Sequence, residues 1–167
     1  HGLLSAQEAM AQSCDVYFYE IAKRTGIERI AAMAKRFGLG AKLEVDLPGE
    51  KAGLIPTPKW KRGALDAPWH KGETLIVGIG QGYLLVTPLQ LAVMTARIAN
   101  GGFAVVPRLT RSVSQDGVWT ENIEASFESL NLQPRHMEIV RNSMIYVVNS
   151  PLGTAYKSRI TEPGQEM

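Results

Sequence analysis

The 167 residues are 45% hydrophobic, 20% charged and 7% aromatic, which excludes fibrous, low-complexity and disulfide-framework classes and fits an ordinary soluble chain. The net charge is only +2, and Lys and Arg are scattered (Lys35-Arg36, Lys59, Lys61-Arg62, Arg108, Arg111) without interleaved aromatic residues, so they read as solvated faces and nucleic acid is excluded as a partner. No apolar run reaches the ~18 residues that a bilayer span needs, no basic-then-apolar signal pattern opens the chain, and the single Cys14 cannot close an internal disulfide.

One domain of this length could bury roughly 68–70% of the surface it exposes when unfolded. In chain order, Ser5-Ala-Gln-Glu8 fits a capping box and predicts a helix over 5 to 12. Tyr17, Phe18, Ile21 and Ala22 predict a second over 15 to 25, stopped at Gly26, with Tyr17 and Phe18 in the core. Ser13-Cys14-Asp15 falls at the seam, where Ser and Asp compete with the helix for backbone hydrogen bonds. A third helix is predicted from Ile27 to Phe37, ended by Gly38 and Gly40. "VDLPGE" (45–50) and "LIPTP" (54–58) form an irregular crossing. Thr57-Pro58 opens a short helix through Trp60, and Thr87-Pro88 opens another that is apolar almost all round and so predicted to be buried. Short strands over about 103–114 and 118–120 flank the turn Gln115-Asp116-Gly117, and Pro134 opens a last helix to about Val148 with Met137, Val140, Met144 and Val147 inward.

Few stretches carry chemistry on their own. "GIGQG" (78–82) lacks the Lys-Ser/Thr of a phosphate loop, and Tyr83 stands where a dinucleotide fingerprint needs glycine, so it reads as a packing and turn element. No serine-centred G-x-S-x-G is present; His70 reads as a solvated loop residue and His136 as a structural one in a helix's first turn. His1 and Cys14 are both competent zinc ligands, but two ligands do not make a site, and the residues alone favour a buried hydrophobe-like cysteine beside an unrelated histidine.

Taken together, "SCDVYFYEIA", "FGLG", "VDLPGE", "GLIPTPKWK", "GETLIVGIGQGYLLVTPLQLAVMTARIANGG" and "PLGTAYK" resemble the transpeptidase domain of class B penicillin-binding proteins, and within them the penicillin-binding protein 2 members that serve cell elongation. The resemblance runs over nearly the whole chain, is weakest through about 110–135, and is most specific from Gly72 to Gly102. Of that family's motif set, S-x-x-K, S-x-N and K-T-G, only the middle one is here, as Ser13-Cys14-Asp15. The chain begins at His1 rather than Met, and the expectation is an internal piece, 1–167, of a catalytic domain whose nucleophile segment precedes it and whose K-T-G strand follows "PGQEM" (163–167).

The resemblance implies an α+β fold: a mainly helical subdomain of the serine transpeptidase and β-lactamase-like fold with short strands, most of the central antiparallel sheet lying outside the chain. It implies Ser13 as a proton relay and Asp15 as a partner of the catalytic lysine or substrate. Most relatives carry Asn at that position; an aspartate only accepts, which favours charge pairing. Gly153, Thr154 and Ala155 would support the site, and Gly80, Gln81 and Gly82 would be turn elements near it. No cofactor is required for catalysis; some members hold a structural zinc through a histidine and the central cysteine, here His1 and Cys14, with other ligands upstream. Expected partners are peptidoglycan stem peptides, β-lactams, a SEDS-family glycan polymerase and elongation-complex proteins, with an N-terminal inner-membrane anchor outside this chain and the catalytic domain in the periplasm. The alternatives are a non-catalytic β-lactam sensor or pseudo-enzyme of the same fold and, against the "VDLPGE" to "GIGQGY" block, a serine β-lactamase. The piece alone is expected to be inactive and poorly stable.

Overall fold

The computed structural model describes residues 1–45, 48–121 and 126–161. Asp46 and Leu47 of the irregular crossing, and the "PGQEM" stretch after which a K-T-G strand was expected, lie outside the described residues.

Seven helices and one hairpin follow each other: α1 (Ala6–Ala11), α2 (Asp15–Thr25), α3 (Ile27–Arg36), α4 (Pro58–Leu65), α5 (Lys71–Gly78), α6 (Pro88–Ala99), β1 (Ser112–Gln115), β2 (Val118–Glu121), α7 (Pro134–Asn149) and a 3-10 turn (Tyr156–Ser158), all among the described residues. The fold is the expected α+β class, mainly helical. Side-chain caps start three of these seven helices. Ser5 Oγ accepts the Glu8 N–H at 3.3 Å while Glu8 Oε2 accepts the Ser5 N–H at 2.8 Å, and the Ser5 N–H and hydroxyl donors hold the Glu8 carboxyl below its ordinary value. Thr57 caps α4 through the Trp60 N–H, and Thr87 with Gln90 forms a second capping box behind Pro88. The hairpin pairs Ser112 with Glu121 and Gln115 with Val118, and its two-residue turn sets both Asp116 (φ 52°) and Gly117 (φ 77°) left-handed, the geometry that matches strand twist.

Four helices end alike. After α1, α3, α5 and α6 the chain closes a Schellman turn, in which the second residue past the cap donates back to the third-last helical carbonyl and the first donates to the second-last. The left-handed residue is Gly38 (φ 92°), Gly80 (φ 77°) and Gly101 (φ 87°) in three of them, and Ser13 (φ 49°) in the fourth.

Helix α1 packs on α7, and α2 on α5, where Gly78 lies against the Ala22 side chain with no room for a Cβ. A small core of Ala31, Leu39 and Ile55 is flanked by Ala34, Leu84, Val86 and Met94. Gln90, 1% exposed, fixes the irregular crossing above it: its Nε2 donates to the carbonyls of Ala41 (2.7 Å) and Ala52 (2.9 Å). Arg97 joins α6 to α3 and to the following loop by donating to the carbonyls of Arg36 and Val105, and burial lowers its pKa.

Several expectations are corrected. Residues 71–78 form a helix that no sequence signal predicts, while His70, expected as a solvated loop residue, is exposed immediately before it. Lys61 is no solvated cation: its side chain is 7% exposed and its Nζ lies 2.5 Å from Glu73 Oε1 on α5, 5.8 Å over the Tyr83 ring. A lysine at that depth persists because a carboxylate meets it. Burial works against ionising Glu73, but the His70 N–H and the Lys61 ammonium outweigh it and hold the carboxyl below its ordinary value. Helix α6 is not covered all round; Gln90 and Val93 are buried while Leu91 is 44% exposed. The predicted strand pieces before 112 reduce to one bridge, Phe103 with Ser129. Tyr17 and Phe18 are half-buried and meet edge to face with ring centres 5.4 Å apart.

Candidate active site

The seam between α1 and α2 is built by the first Schellman turn. The Cys14 N–H donates to the Ala9 carbonyl at 2.9 Å and the Ser13 N–H to the Met10 carbonyl at 3.2 Å, which leaves Ser13 in the left-handed region with an exposed side chain. For a residue with a Cβ that conformation costs roughly 1–2 kcal/mol relative to the right-handed one. Asp15 then opens α2 in its first turn, where the positive end of the helix favours a carboxylate. Cys14 between them is buried at 7% exposure and serves as the residue before the helix.

The strained serine is met from the far end of the chain. Ser13 Oγ lies 3.1 Å from Thr154 Oγ1, and the Thr154 N–H donates to the Ala11 carbonyl at 2.9 Å. Thr154 is itself held on both sides: the Gly153 N–H donates to Ser150 and the Ala155 N–H to Val147. Gly153 sits so close under the Val147 carbonyl that no Cβ could be accommodated, which explains a glycine there at an ordinary φ. Two hydroxyls and one acidic side chain thus stand at an exposed helix seam, the hydroxyls on a backbone whose hydrogen bonds are satisfied. A hydroxyl so placed can accept a proton at one lone pair and donate its own, and a carboxylate can pair with a cation.

Of the residues named from sequence, Ser13, Asp15, Gly153, Thr154 and Ala155 come together here. Gly80, Gln81 and Gly82 follow α5, where the Gly80 N–H donates to the Val77 carbonyl and the Gln81 N–H to the Ile76 carbonyl. His1 is exposed, and among the described residues no three His, Cys, Asp or Glu side chains gather as a metal site, so His1 and Cys14 by themselves fall short of the four donors zinc takes. The carbonyls of Ala11 and Val147, which accept from the Thr154 and Ala155 N–H groups, were not foreseen; a backbone acceptor leaves no mark in a side-chain pattern.

Comparison with known proteins gives the family. The penicillin-binding protein transpeptidase domain matches residues 1–167. Peptidoglycan D,D-transpeptidase MrdA of Acinetobacter baumannii is 38% identical over 159 residues, 95% of this chain and 24% of that protein. Among solved structures, Pseudomonas aeruginosa penicillin-binding protein 2 in complex with WCK 5153 superposes with a TM-score of 0.84 at 40% identity, over 94% of this chain and 35% of that one. Helicobacter pylori penicillin-binding protein 2 in complex with MreC gives 0.80 at 32% identity, over 98% and 29%. The chain spans about a quarter of the length of the curated relatives it matches. This chain belongs to the penicillin-binding protein transpeptidase family.

Proposed function

We propose that the chain forms the relay side of the active site in a peptidoglycan D,D-transpeptidase that cross-links stem peptides and is acylated by β-lactams. In the whole protein a serine nucleophile attacks the D-Ala-D-Ala carbonyl, the terminal D-Ala leaves with a proton on its amine, and the amine of a second stem displaces the serine. Ser13 passes the proton between the catalytic lysine and the departing or arriving amine. Asp15 pairs with the lysine. The observation that carries this reading is Ser13 itself, an exposed hydroxyl kept in a left-handed turn where three matching turns use glycine. No S-x-x-K and no K-T-G occurs in the 167 residues, so nucleophile, base and oxyanion donors belong to the rest of the whole protein. A structural zinc at His1 and Cys14 would need further donors from the same source.

The setting proposed for the protein draws on its relatives. MrdA of Acinetobacter baumannii is a peptidoglycan enzyme and Helicobacter pylori penicillin-binding protein 2 was solved with MreC, which supports an elongation-complex setting; a SEDS-family polymerase as partner and a periplasmic catalytic domain belong to the same proposal. No helix among the described residues is long and apolar enough to cross a membrane; the inner-membrane anchor is part of the proposal for the whole protein. Fluorescent penicillin tests the assignment: the whole protein should be labelled covalently and the 167-residue chain should not. An adduct on Ser13 would make it a nucleophile and sink its role as relay.

A further inference from the structure

We infer that Thr154 is a positioning residue for acyl transfer: its hydroxyl donates to Ser13 Oγ and so fixes the direction in which the Ser13 proton leaves. The inference rests on the reading of Ser13 as relay. A serine hydroxyl rotates freely about its Cβ–Oγ bond, and at an exposed seam water would share its lone pairs and its hydrogen among many orientations. Thr154 Oγ1, 3.1 Å away, removes that freedom. With Thr154 as donor, one Ser13 lone pair is occupied and the Ser13 O–H is left to point elsewhere. Accepting a hydrogen bond also polarises the acceptor's own O–H and makes it a better donor.

Thr154 is equipped to impose an orientation. Its N–H is tied to Ala11, the last residue of α1 and two positions before Ser13, so donor and relay are referenced to the same turn. The neighbouring N–H groups of Gly153 and Ala155 are bonded to Ser150 and Val147 at the end of α7, which packs on α1. As a β-branched residue Thr154 has few side-chain rotamers, so its hydroxyl is stiffer than a serine's. A residue needed for packing alone would be covered, whereas Thr154 and Ser13 are both exposed.

The test uses the whole protein carrying Thr154→Val, Thr154→Ser, Ser13→Ala and the Ser13→Ala/Thr154→Val pair, measured by acylation with a fluorescent penicillin and by turnover of a stem peptide ending in D-Ala-D-Ala. Thr154→Val should lower kcat about 10- to 100-fold with little change in KM, the scale of a misdirected catalytic group, and Thr154→Ser should recover most of it. The double variant should be no slower than Ser13→Ala, because Thr154 acts only through Ser13. Should Thr154→Val melt early, Thr154→Ala, which also lacks the hydroxyl, is read in its place. Full activity of the hydroxyl-free variants, or losses that multiply in the double variant, would overturn the inference while an inactive Ser13→Ala protein left the relay reading standing. A fully active Ser13→Ala protein would overturn both.

Discussion

Ser13 occupies a position that physics assigns to glycine. The same chain solves the same turn three other times with Gly38, Gly80 and Gly101, at no steric cost. The fourth turn carries a Cβ and a hydroxyl at φ 49°, and left-handed strain of this kind persists where surrounding bonds over-determine it, here the Cys14 and Ser13 N–H groups and Thr154. With the proposed relay role, stability and chemistry pull in opposite directions at one residue. Ser13→Gly relieves the strain that Ser13→Ala retains, so the glycine variant should be more stable than the alanine variant by about 1 kcal/mol in urea unfolding, although both lack the hydroxyl. Glycine no more stable than alanine would mean that the turn is not left-handed in solution. The sequence places Ser13 and Asp15 at a helix seam, because both residue types disfavour helix interiors. The left-handed turn is hidden, since serine is not a residue that marks one.

At the scale of elements, what could be read was what is local. Ser5, Thr57 and Thr87 cap helices within three residues of themselves, and Asp116-Gly117 makes its own turn. Helix α5 escaped because it follows a histidine rather than a Ser, Thr, Asp or Asn, has Gly72 in its first turn, and runs straight into the glycines that end it. The burial of Lys61 escaped for a different reason: its partner Glu73 is twelve positions away and reaches it only once α4 and α5 are both formed. That pair makes a pH prediction. The folded Glu73 carboxyl lies below its ordinary value, so the stabilisation is complete above the ordinary carboxylate range and is lost as the pH falls through the folded pKa. Glu73→Gln should therefore lower stability at neutral pH and flatten the acid limb of a melting-temperature profile between about pH 5 and pH 3. An acid limb as steep as the unsubstituted protein's would remove Glu73 from the account.

The whole molecule exposes more surface than its mass warrants. A compact monomer of 18.3 kDa is expected to expose about 8,100 Å²; this chain exposes 11695 Å². Part of that excess is an apolar groove of about 410 Å³ between α6 and α7, lined by Ile98, Met144, Ile145, Val148 and Ile160. Composition could not reveal this, because an apolar helix reads the same whether its cover lies in the same chain or elsewhere. The buried core around Ala31, Leu39 and Ile55 is correspondingly small. The isolated 167 residues should melt without a sharp calorimetric transition; a sharp, two-state melt of the chain alone would show that the open groove costs it little. The most direct test of the account is the rate of penicillin acylation of the whole protein carrying Ser13→Gly, read beside its melting curve. A relay in acyl transfer predicts a loss of about 100- to 10,000-fold with no loss of melting temperature. Acylation at the unsubstituted rate in a folded Ser13→Gly protein would contradict it.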